Sequence, residues 1–91
     1  MHNYKIVIEY DGTNFVGWQQ QENGQSIQST LQEALFKLTG ENISIFGAGR
    51  TDAGVHAYGQ VASFNLNKKI EIDVIRDGLN QHLRPQPIAV Q

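Results

Sequence analysis

The chain is 91 residues long, enough for one domain and too short for two. Hydrophobic residues make up 40% and charged residues 18%, which suits a compact core and argues against extended disorder, and the absence of cysteine excludes disulfides, thiolate zinc sites and thiol nucleophiles together. The net charge of −2 weighs mildly against nucleic-acid binding, although the seven Lys and Arg residues can still share one face.

The first residues, Met1-His2-Asn3-Tyr4-Lys5, run straight into a strand pattern without a basic and apolar leader. No apolar run approaches the roughly 18 residues of a membrane-spanning helix. The expectation is a soluble cytoplasmic protein with no membrane partner. From Tyr4 to Tyr10, the residues Tyr4, Ile6, Ile8 and Tyr10 alternate with Lys5, Val7 and Glu9, a period-two pattern that predicts a strand, and Asp11-Gly12 ends it as a turn. The loop from Thr13 to Gly24 holds Phe15, Gly17, Trp18 and the run Gln19-Gln20-Gln21. Trp18 is either a ring that pins this loop to the core or, with the glutamines, part of an aromatic and amide surface able to stack and hydrogen-bond RNA bases.

Ser26 to Thr39 is the strongest helix. Ser26 suits the N-cap, Gly40 the position after the last turn, and Ile27, Leu31, Ala34, Leu35 and Leu38 form one apolar stripe. Phe36 falls outside that stripe, as an exposed aromatic or as a contact with another domain or subunit. Ile43 to Phe46 predicts a short strand, and Gln60 to Leu66 a longer one, with Gln60, Ala62, Phe64 and Leu66 on one face. A second, weaker helix is predicted over Asp73 to Leu83, capped by Asp73, with Ile72, Ile75, Leu79 and Leu83 as its stripe. Gly78 inside it costs roughly 1 kcal/mol against alanine. Arg84-Pro85-Gln86-Pro87 stops it, and Ile88 to Gln91 reads as a last strand cut short.

The order β-α-β-β-α-β predicts an α+β fold of ferredoxin-like type: an antiparallel sheet, two helices on one of its faces, and the other face free for a ligand. The chain reads as a single domain over residues 1–91 and, ending inside a strand, as a fragment of a longer protein.

Between the two middle strands lies Gly47-Ala48-Gly49-Arg50-Thr51-Asp52-Ala53-Gly54-Val55-His56-Ala57, which brings an arginine, an aspartate and a histidine within seven residues. A polar, glycine-punctuated loop between strands is where a small domain usually carries its chemistry. A phosphate-binding P-loop fails, because Val55-His56 follow Gly54 where Lys and Ser or Thr must stand. A dinucleotide fingerprint fails at its third glycine, where Asp52 stands. Asp52 and His56 have the spacing of two metal ligands on a helix, but Gly54 between them disfavours the helix and no third ligand lies nearby in sequence. A hydrolase using Thr51 or a serine with His56 lacks the nucleophile-elbow signature. Two plain readings stay open: His56 as a structural histidine bonding the loop backbone, and Asp52 as the partner of Arg50 in a structural ion pair. Against the second stands the chemistry of an ionised carboxylate beside a permanent cation, which suits a nucleophile or a general base.

Gly49-Arg50-Thr51-Asp52-Ala53-Gly54-Val55-His56-Ala57 resembles the active-site signature of the TruA family of tRNA pseudouridine synthases. Three further stretches are similar to family motifs: Tyr10 to Gln20, the helix from Ser26-Ile27-Gln28 through Leu31 and Ala34-Leu35, and Gly59 to Phe64. The likeness covers nearly the whole chain from Tyr4 onward. It implies the ferredoxin-like half of a pseudouridine synthase fold and an isomerase that converts uridine to pseudouridine in the anticodon stem-loop of tRNA, at about positions 38 to 40, on a base taken out of the stack, without metal or organic cofactor. Asp52 matches the catalytic aspartate, acting as nucleophile or base at C1′ of the ribose or C6 of the base. Arg50 matches the arginine that replaces the flipped base and pairs with Asp52, a role in which lysine is a poor substitute. Thr51, Gly54, His56, Trp18 and Gln19 are the substrate-binding candidates. Family members are homodimers whose RNA touches both subunits. The family fold has two halves and only the first is matched, and Tyr4, Tyr10 and Tyr58 do not correspond to the base-packing tyrosine of the second. The 91 residues alone are therefore expected to be inactive. The alternative is a non-catalytic RNA-binding ferredoxin-like domain.

Overall fold

The structure, a computed structural model, describes residues 1–13, 15–18, 24–49 and 56–91, with the backbone only at 57 and 58. The described elements follow the order β1 (His2–Tyr10), α1 (Ile27–Thr39), β2 (Phe46–Gly47), β3 (Ala57–Leu66), α2 (Ile72–Leu83) and β4 (Ile88–Val90). They form one sheet in the spatial order β2-β3-β1-β4, antiparallel throughout. This is the ferredoxin-like arrangement that the β-α-β-β-α-β pattern predicts.

The alternation in β1 and β3 decides which face is covered. Ile6, Ile8 and Tyr10 are buried together with Ala62, Phe64 and Leu66, and their cluster is completed by Ile27, Leu31 and Leu35 of α1 and Ile75, Leu79 and Leu83 of α2. Both helices thus lie on one face. On the other stand Lys5, Val7 and Glu9 of β1, Val61 and Ser63 of β3, and Phe46, which is 63% exposed. No helix among the described residues is long and apolar enough to cross a membrane.

Helix α1 starts and stops as its sequence predicts. Ser26 is the N-cap, its hydroxyl accepting from the Ser29 N–H while the Ser29 hydroxyl closes the reciprocal bond, a capping box built from two serines. Gly40 takes a φ of 77° beyond the last turn, a left-handed conformation that glycine adopts without strain. Phe36 is exposed, as its place outside the stripe predicts. The glycine inside α2 is explained by the other helix: a Cβ on Gly78 would lie 2.5 Å from Leu38 Cδ1, so the missing side chain lets α1 and α2 approach.

Several boundaries differ from their predicted positions, among them the start of β1 at His2, two residues before the predicted Tyr4. The second strand was expected over Ile43 to Phe46 but is confined to Phe46–Gly47. Ile43 and Ile45 are buried, yet Ile45 gives its backbone groups to α1 instead of to a neighbouring strand. Its N–H donates to Gln32 Oε1 at 3.1 Å and its carbonyl accepts from Gln28 Nε2 at 2.8 Å. Helix α2 begins one residue early, with Glu71 at the N-cap because the Ile75 N–H bonds the Glu71 carbonyl; Asp73 lies in the first turn and Ile72 is 47% exposed, outside the buried stripe. Strand β3 begins at Ala57, three residues before its predicted start.

Strand β4 is joined to the helical layer by one side chain. Asn80 of α2 donates from Nδ2 to the Val90 carbonyl at 3.0 Å and accepts the Val90 N–H on Oδ1 at 2.7 Å. On its inner side, β4 pairs with β1 through Ile8 and Val90.

Candidate functional site

The site is built where the turn after β1 meets the start of β3. Asp11 folds back on its own turn: its Oδ1 accepts the Thr13 N–H at 3.0 Å and the Thr13 hydroxyl. These two bonds, the hydroxyl's first, hold the Asp11 carboxyl below the usual carboxylate range, with a smaller contribution from the His56 ring. The sign follows: the stabilisation is complete above the ordinary carboxylate range and fades as pH falls through it.

His56 stands over this turn. Its Nδ1 accepts the Gly12 N–H at 2.9 Å and lies 3.1 Å from Asp11 Oδ1, and its side chain is 48% exposed. One ring nitrogen cannot accept from Gly12 and donate to Asp11 at the same time. In the Gly12-bonded arrangement Nδ1 is the acceptor and the ring proton is on Nε2.

After the turn, residues 15–18 are tied both to the turn and to α1. The Phe15 N–H bonds the Gly12 carbonyl, and the carbonyls of Gly17 and Trp18 accept the N–H groups of Ile27 and Gln28. Two donors of the first helical turn are thereby satisfied by the loop. Gly17 has a φ of 108°, which favours glycine. Trp18 is 3% exposed and belongs to the core, matching the reading of a ring that pins the loop.

Trp18 also explains the first glycine of the motif. A Cβ on Gly47 would lie 2.7 Å from Trp18 Cε2, 2.9 Å from Cζ2 and 2.8 Å from Gln60 Nε2. The Gly47 backbone approaches the indole and Gln60 too closely to leave room for a Cβ. The next residues continue the attachment: the Ala48 N–H donates to the Val61 carbonyl at 2.8 Å, and Gln60 Nε2 donates to the Gly49 carbonyl. Gly47→Ala is therefore expected to destabilise the domain by about 1–3 kcal/mol, since a buried indole has no room to retreat. Urea unfolding reads this as a lower midpoint at unchanged slope, and an unchanged midpoint would show that the slot is not tight.

Of the seven residues singled out in the sequence, the structure places Trp18 beneath Gly47 and His56 above Gly12. Arg50, Thr51, Asp52, Gly54 and Gln19 lie outside the described residues. Two contributors were not among the seven. Gln60 is a half-buried amide on the face that β3 otherwise gives to Ala62, Phe64 and Leu66, and a polar residue in that register is the signal that marks it. Gly12 contributes its backbone N–H, for which a turn motif in sequence gives no sign.

Comparison with known proteins adds a family. A family model described as tRNA pseudouridine synthase matches residues 6–91. A curated protein named tRNA pseudouridine synthase A from Afipia carboxidovorans is 57% identical over 90 residues, covering 99% of this chain and 37% of that protein. Proteins of the same name from Parvibaculum lavamentivorans and Ehrlichia ruminantium are 52% identical over 90 residues and 54% identical over 88, covering 99% and 96% of this chain and 37% and 36% of theirs. The chain thus spans little more than a third of the length of the curated relatives it matches.

Proposed function

The chain belongs to the tRNA pseudouridine synthase family, and from that premise we propose that it is the N-terminal part of a longer, two-halved enzyme that converts uridine to pseudouridine in the anticodon stem-loop of tRNA. The observation that carries this reading is the family match over residues 6–91, which runs through the whole Gly49–His56 motif. The reaction breaks the bond from N1 of the base to C1′ of the ribose and joins C1′ to C5, whose hydrogen leaves as a proton. Asp52 supplies the carboxylate that acts as nucleophile or base. Arg50 pairs with Asp52 and fills the space that the flipped base leaves, a task suited to a planar, permanently charged group. Thr51, Gly54 and Gln19 surround the bound nucleotide, while Trp18 supports the motif from beneath Gly47 and His56 holds its end at Gly12.

Two described contacts support placing the chemistry here. Gln60 holds the Gly49 carbonyl and Gly12 holds His56, so the residues flanking 50–55 are fastened, one to β3 and the other to the turn after β1. A loop fixed at both ends is how a small fold presents a reactive group at a set position. The open sheet face with Lys5 and the exposed Phe46 offers a surface for RNA next to the motif. The protein acts in the cytoplasm as a homodimer whose tRNA touches both subunits.

Tritium release tests the proposal. The full-length protein is incubated with tRNA carrying 5-[³H]uridine, and the label is expected to appear in solvent. Absence of release with retained RNA binding would overturn catalysis in favour of an RNA-binding domain. Release from tRNA lacking uridine in the anticodon arm would overturn the substrate assignment.

A further inference from the structure

We infer that His56 is a positioning residue for the proposed reaction: by accepting the Gly12 N–H on Nδ1, it fixes the C-terminal end of residues 50–55 to the turn after β1. The inference rests on the functional reading and deepens it, because it states through which atom His56 serves the site. The contact joins residues 44 apart in the chain at 2.9 Å. The turn that supplies the donor is itself rigid: Asp11 Oδ1 is held by both Thr13 donors, the Asp11 N–H bonds the Pro87 carbonyl at 3.0 Å, and the Gly12 carbonyl accepts from Phe15. Only three residues separate Asp52 from His56, so the reference point lies close to the reactive carboxylate along the chain. With Gly49 held by Gln60 at the other end, the motif has two independent fastenings.

Two substitutions isolate the contact. His56→Asn keeps an acceptor, Oδ1, at the place of Nδ1, whereas His56→Leu fills similar space with none. In the full-length enzyme, His56→Leu is expected to lower kcat by roughly 10- to 100-fold, the scale of a displacement near 1 Å, with KM for tRNA within about threefold. His56→Asn is expected to recover most of that loss. Equal losses in the two variants, or a loss confined to KM, would overturn positioning and make His56 a group that touches RNA. Hydrogen exchange at the Gly12 amide gives a second measurement that needs no turnover. Protection is expected in the wild type and in His56→Asn and is expected to fall at least about tenfold in His56→Leu, and unchanged protection would overturn the inference. A wild-type enzyme that releases no tritium while its Gly12 amide follows this order would refute the functional reading and leave the fastening intact.

Discussion

Asp52→Asn in the full-length protein is expected to abolish tritium release from 5-[³H]uridine tRNA, lowering it by roughly 10³-fold or more, while tRNA affinity stays within a few-fold. Asparagine has nearly the shape of aspartate, so the substitution removes charge, basicity and nucleophilicity and leaves the volume of the loop intact. Because a negative charge is removed, binding of the polyanionic substrate is expected to tighten slightly. Asp52→Glu keeps the charge but moves the carboxylate by a methylene, and a loss of about 10²-fold is expected from misplacement alone. The pair separates chemistry from electrostatics. Release unchanged in Asp52→Asn would sink the catalytic assignment, and release and affinity lost together would point to a loop that no longer folds.

The second large effect concerns the fold that carries the loop. Phe64→Ala is expected to destabilise the domain by about 3–5 kcal/mol. A domain of this size has a total stability of about 5–14 kcal/mol, so the variant sits at the edge of unfolding. Phe64 is 1% exposed near the C-terminal end of β3, and its ring stacks on Tyr4 with centroids 5.6 Å apart and planes at 21°. The Tyr4 hydroxyl donates to the Ile70 carbonyl at 2.8 Å and accepts the Ile70 N–H at 2.9 Å, just before α2 begins. Removing the Phe64 ring therefore loosens both the sheet core and the segment leading into the second helix. Phe64→Leu, which keeps most of the volume, should cost under about 2 kcal/mol. Equal unfolding midpoints for the two variants would show that the site collapses freely, and that the ring pair is not the keystone described here.

What could be read from sequence follows from how local each signal is. The strand alternation from Tyr4 to Tyr10 and the stripe of α1 are periodic and visible within a dozen residues, and with them came the element order, the sheet and the covered face. The capping by Ser26 and Gly40 is equally local. The shortened β2 was not legible, because the groups that take Ile45 out of the ladder belong to Gln28 and Gln32, more than ten residues away. Nor was the start of α2, since nothing in the composition of Glu71-Ile72-Asp73 says which of two acidic residues becomes the cap. At the site, the motif was recognisable as a string of residue types, but its fastenings were not. Gly47 needs to be glycine because of Trp18, which lies 29 residues earlier; a structural His56 bonding the backbone is among the readings of the sequence, but its partner, Gly12, lies 44 residues away.

The clasp between Asn80 and Val90 has a consequence for how this molecule behaves among its copies. An unpaired sheet margin is a template on which another chain can add itself, the first step toward aggregation. At Val90, both hydrogen-bonding groups that would face such an intruder are already occupied by a carboxamide, which has the donor and acceptor of a peptide unit but no chain to extend. The margin is thus finished by a counterfeit strand one amide long, carried on a helix and unable to propagate. At the opposite margin, β2 offers only Phe46 and Gly47. Among the described residues, the margin at Val90 is thus closed by a side chain, whereas β2 covers only a short part of β3.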